Sequence, residues 1–108
     1  MRYQIIETKQ AREDIKNVVT YILDTYGSKT GAINFLNEYD KSVNFIEKFP
    51  KFFKSIGRKY KDNDIRVKYF RNHCIVFLID EKKRQIVILR VFSVKMDRDT
   101  AISKINVL

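Results

Sequence analysis

Three stretches hold the residues whose types and spacing suit chemistry: "IRVKYF" from Ile65, His73-Cys74, and "ILRVFSVKMD" from Ile88. The first alternates apolar with basic residues and offers Arg66 and Lys68. The last starts as a strand of buried type, yet carries Arg90 in its middle and Lys95 near its end. Cations in such places balance the charge of a phosphodiester, or of carboxylates on a partner. His73 is the one histidine in the chain and the side chain nearest neutrality, hence the candidate for moving a proton. It forms no nucleophilic pair with Cys74, because adjacent strand residues point to opposite faces. One His and one Cys cannot complete a tetrahedral metal site, and no cofactor is expected.

These residues must be held by elements that the sequence outlines. "YQIIE" (Tyr3 to Glu7) reads as a short strand. Thr8 then caps a helix with Ala11, Ile15, Val18, Val19, Ile22 and Tyr26 at spacings of three and four, closed by Gly27. Ser28 or Thr30 opens a second helix bearing Ala32, Phe35, Leu36, Tyr39, Val43 and Ile46 on one face, and it stops before Pro50. So short a connection predicts an antiparallel helical hairpin. After a basic, irregular stretch the period becomes two. "IRVKYF", "CIVFLID" and "IVILRVFSV" form a meander, and the middle run is apolar enough to imply burial on both faces. "DRDTAISKINVL" reads as a short helix or a tail. The expected fold is α+β, in the order β-α-α-β-β-β, an antiparallel sheet backed by the N-terminal hairpin. A chain of 108 residues makes this one domain, 1–108.

Alternation along the strands predicts where the cations go. With the helices over the face of Ile65 and Val67, Arg66 and Lys68 point away from them. Arg90 should join them, since burying it unpaired under the hairpin costs several kcal/mol. Phe70 and Phe92 would lie among these cations, a mixture suited to a polyanion or an amphipathic partner segment. The alternative is that Arg90 pairs structurally with Asp80 or Asp97.

Charge distribution supports a working basic surface. The net charge is +9, and between Lys48 and Arg71 nine Lys or Arg face only two acids, Asp62 and Asp64. Such a concentration attracts phosphate backbones or acidic proteins. Arg58-Lys59, beside Gly57, are placed on a loop before the sheet, as contacts for a target or an antitoxin or simply as a mobile basic loop. The single cysteine excludes an internal disulfide framework and suits a reducing cytoplasm. No apolar run nears the ~20 residues that span a bilayer, and the N-terminus lacks the apolar core of a signal peptide.

With these residues in view, the chain resembles the RelE/ParE superfamily of toxins from bacterial type II toxin–antitoxin, or plasmid stabilisation, systems. The likeness spans nearly the whole length. It rests on Ala11, Asp14-Ile15, Tyr21 and Gly27 in the first helix and on Ala32, Phe35 and Phe49-Pro50 in the second. "HCIVFLID" and "IVILRVFSVKMD" resemble the paired strands that end that fold.

The resemblance implies one of two activities. RelE-like members cut ribosome-bound mRNA with basic sheet residues and a C-terminal Arg and Tyr. Arg66 and Lys68 match the basic pair, but Cys74, Met96 and the region of Ile102 stand where an Arg, the terminal Arg and the late Tyr are expected. Those residues cannot supply guanidinium or phenol. ParE-like members commonly end the last strand with an Arg-Val-Leu-His-Gln-Arg-Met-Asp type of run. "RVFSVKMD" keeps Arg90, Val91, a basic Lys95 and Met96-Asp97, with Ser93 where His is common. The resemblance is therefore closer to ParE.

The expected function is a cytoplasmic, non-enzymatic toxin that inhibits a host target such as DNA gyrase. An antitoxin whose acidic, amphipathic segment wraps the toxin, in a hetero-oligomer, would neutralise it. The target-binding candidates are Arg58, Lys59, Arg66, Lys68, Arg90 and Lys95. The alternative is an mRNA endonuclease using Arg66, Lys68, His73, Arg90 and Lys95, and a third reading is a nucleic-acid-binding module.

Overall fold

The computed structural model describes residues 3–94. Lys95, Met96-Asp97, the Ile102 region and the "DRDTAISKINVL" segment lie outside the described residues.

The strand β1 (Gln4–Glu7) leads into α1 (Lys9–Tyr26), and α2 (Lys29–Lys48) follows after two residues. The caps are those the sequence signalled. Thr8 Oγ1 accepts from the Ala11 amide at 3.1 Å, and Ser28 Oγ accepts from Gly31 at 2.8 Å. Gly27 closes α1 with φ 61°, a left-handed conformation in which a side chain is strained. Gly31 lets the helices approach: a Cβ there would stand 3.2 Å from Ile22 Cγ2. Pro50 begins one turn of 3-10 helix, Pro50–Phe52, which turns the chain back toward the sheet.

Four strands follow: β2 (Ser55–Tyr60), β3 (Asn63–Phe70), β4 (His73–Asp80) and β5 (Gln85–Ser93). They form one five-stranded sheet in the order β1-β5-β4-β3-β2. Consecutive strands from β2 to β5 pair antiparallel, whereas β1 pairs parallel to β5, Ile5 opposite Ile86. The α+β class stands, with two corrections to the expected order. The sheet is mixed, and the stretch expected to be irregular is an edge strand. β2 escaped the pattern because "SIGRKY" offers little alternation and its cations are exposed, as edge strands often are. Its turn, Lys61-Asp62, carries positive φ at both residues (49° and 67°) without the usual glycine.

Cys74 to Ile79 in the central strand are all buried, so the sheet is apolar on both sides. One side, with Ile75, Phe77, Ile79, Ile86, Ile88 and Val91, packs under Ala11, Phe35, Tyr39 and Ile46 of the helices. The other gathers Ile65, Val67, Cys74, Val76, Leu78, Leu89 and Phe92. A register shift between Val76 and Phe77 places Arg90 opposite Val76 and Ile88 opposite Phe77, leaving Leu89 as the extra residue of a bulge. Past this bulge the alternation of β5 changes phase.

Candidate functional site

The face expected to unite three cations is not built. Ile65 and Val67 belong to the side away from the hairpin, so Arg66 and Lys68 lie on the helix side. Both are held beside the segment that follows α2. Arg66 Nη1 donates to the Phe53 carbonyl, and the Lys68 ammonium stands 5.4 Å from the ring centres of both Phe45 and Phe53. Arg90 lies opposite Val76, its guanidinium 4.7 Å from the Phe92 ring, on the other side of the sheet. The bulge, invisible to simple alternation, accounts for that placement together with the choice of face.

Arg90 also finds a partner that the sequence reading did not supply. Its Nε and Nη2 donate to the two oxygens of Asp14 on α1, at 2.7 and 2.9 Å. Asp14 Oδ2 also accepts from the Val91 amide at 2.9 Å. β1 ends opposite Ile88, so among the described residues Val91 carries an outward N–H with no strand beside it. Asp14 satisfies that donor. Thr8 serves the same edge: its amide donates to the Ile88 carbonyl and its hydroxyl to the Leu89 carbonyl. The expected alternative partner, Asp80, is instead used in the β4–β5 turn, where it accepts from the Lys83 amide.

Arg58 and Lys59 stand exposed on the edge strand β2, not on a loop, directly after Gly57, whose φ is 80°. His73 opens β4 half-buried, its ring 5.0 Å from Phe35 and stacked 5.7 Å from Phe70. Among the described residues, Nδ1 is buried without a hydrogen-bond partner, and burial lowers the imidazole below its ordinary pKa, so it is neutral near pH 7. Cys74 packs on the opposite side of the sheet, away from His73, as alternation required.

Two clefts among the described residues do not unite Arg66, Lys68 and Arg90 either. A cleft of about 670 Å³ is lined by Ile6, Glu13, Lys61, Asp80, Lys83 and Val87 among others, mixing both signs of charge. One of about 470 Å³ brings His73 beside Tyr21, Tyr26 and Asn72. Among the described residues no cluster of His, Cys, Asp or Glu could hold a metal ion, and no helix is long and apolar enough to cross a membrane.

Residues 5–98 match the family model described as the ParE toxin of type II toxin–antitoxin systems, parDE. The chain belongs to the ParE toxin family. No curated protein matches it in sequence. Solved structures share the ParE-family fold. The chromosomal ParDE system of P. aeruginosa aligns with a TM-score of 0.65 at 12% identity, covering 84% of this chain and 95% of that one. The RelBE2 toxin–antitoxin complex of Mycobacterium tuberculosis gives 0.56 at 18% identity, over 86% and 99%. The archaeal RelE–RelB complex of Pyrococcus horikoshii gives 0.54 at 18% identity, over 86% and 96%.

Proposed function

We propose that this ParE-family toxin acts by gripping a host protein, with DNA gyrase the first target to test, and that a cognate antitoxin holds it inactive. Both partners place its work in the cytoplasm. The observation that carries the reading is the separation of Arg66 and Lys68 from Arg90 across the sheet. RNA cleavage needs a base, cations and an acid converging on one phosphate. Here Arg66 and Lys68 stand on one side and Arg90 on the other, and each of the three is engaged within the fold. The titratable His73 is stacked on phenylalanine, at a distance in sequence and side from Arg90. The similarity to P. aeruginosa ParDE, a toxin–antitoxin system, supports the expectation of an antitoxin partner.

The test pairs two readouts, one on purified protein and one in cells. Purified toxin added to gyrase should abolish supercoiling, and induced cells should show DNA damage with intact messages. Unchanged supercoiling at high toxin excess, with new 5′ ends inside translated messages, would replace this reading by mRNA cleavage.

A further inference from the structure

The end of α2 and the turn that follows it carry a group of phenylalanines facing outward. Phe45 lies 5.3 Å from Phe49, 5.8 Å from Phe52 and 5.7 Å from Phe53, centre to centre, and Phe52 lies 5.2 Å from Phe53. Phe53 anchors the group to the core through Phe77, at 5.9 Å. Phe52 is 72% exposed and Phe49 55%. A contiguous aromatic patch of this kind opposes solubility, and on a small protein it marks a contact surface.

Its surroundings are cationic. Between Lys41 and Lys54 there are four lysines and one acid, Glu47. Lys41 and Phe45, then Phe45 and Phe49, are four apart on the helix and share one face, with Lys48 three beyond Phe45. Lys68 adds a further ammonium, set against Phe45 and Phe53.

We infer that the Phe45–Phe49–Phe52 patch is where the antitoxin docks, through a segment that sets aliphatic side chains on the rings and carboxylates on Lys41, Lys48 and Lys68. The inference rests on the antitoxin partnership proposed above and gives it a place. Ring geometry favours a peptide over stacked bases. The planes of Phe45, Phe52 and Phe53 meet at 66° to 82°, edge against face, and Lys68 occupies the faces of Phe45 and Phe53. Bases need open faces to stack, whereas methyl and methylene groups pack against edges equally well. An acidic segment is also the complement of this charge.

The full chain is titrated with the protein encoded by the open reading frame beside its gene, comparing wild type with Phe52→Glu, Phe49→Ser and, as an equally exposed site elsewhere, Tyr26→Glu. The expected result is a loss of about 30-fold or more in affinity for Phe52→Glu, a smaller loss for Phe49→Ser and none for Tyr26→Glu, with unfolding temperatures unchanged. Wild-type affinity in Phe52→Glu, or an equal loss in Tyr26→Glu, would overturn the assignment while leaving the partnership intact. No binding by the wild type itself would instead remove the partnership, and this inference with it. Unchanged antitoxin affinity with lost binding of a fluorescent 12-nucleotide RNA would assign the patch to nucleic acid and overturn the proposal.

Discussion

Asp14 receives Arg90 through both guanidinium bonds and the neighbouring amide of Val91 as well, so one carboxylate fastens α1 to the exposed edge of β5. Their side chains are only 13% and 19% exposed, which sets this pair apart from surface ion pairs. Removing one partner strands the other, at a cost of about 3 kcal/mol.

Asp14→Ala should therefore destabilise the fold by about 3 kcal/mol, and Arg90→Ala by a similar amount. A denaturant double-mutant cycle should return a coupling of more than about 1 kcal/mol. Additive effects would show that Arg90 is not held by Asp14. Weakened inhibition of the target by Arg90→Ala should follow the loss of folded protein and vanish when folded concentrations are matched.

His73 gives the fold a pH dependence. Its folded pKa is depressed by burial, so below the ordinary histidine range, about 6.5, the unfolded chain binds the proton that the folded chain refuses. Stability is then lost as pH falls through about 6.5 toward the depressed folded value. His73→Phe, which keeps a ring against Phe35 and Phe70, should flatten that part of the profile in thermal melts between pH 5 and 8. An unchanged slope would assign the dependence to other groups.

Tyr39, buried under the hairpin, donates its hydroxyl to the Glu7 carboxylate at the end of β1. Burial first, and this bond second, hold the phenol well above its ordinary pKa. Tyr39→Phe should cost about 1 kcal/mol, since Glu7 remains partly solvated and recovers water. A loss several times larger would mean that Glu7 depends on the phenol alone.

Arg58 and Lys59, exposed on edge strand β2, are the expected contacts most free of fold duties among the described residues. Arg58→Glu with Lys59→Glu should shift stability by no more than about 0.5 kcal/mol. The pair should slow association with the target and reduce its salt dependence. Association rates equal to wild type at low salt would place the target contact elsewhere.

The helix caps and the double burial of β4 were legible because local chemistry decides them: the Thr8 and Ser28 hydroxyls accept from amides three residues on, and Gly27 and Pro50 act through their own backbones. The face of β3 was not. Where both sides of a sheet are apolar, the set Ile65 and Val67 has no need of the helices, and Arg66 and Lys68 can run under the end of α2. Nor could period-two counting see the bulge at Leu89, which depends on pairing with β4. The Asp14–Arg90 contact spans 76 positions, and the sequence held a hint only in Asp14 itself, a carboxylate on a helix otherwise reaching the core.

The parallel pairing of β1 with β5 has a consequence for synthesis. Residues 4–7 can find their neighbours only after residues 85–88 have emerged from the ribosome. Until then the central strand β4 lacks one of its two neighbours, and α1 has no edge to fasten to. Contacts this distant in sequence close late. A message truncated before Gln85 therefore yields a chain without a completed sheet, so the sheet that carries Arg90 and anchors α1 is assembled only with near-complete translation.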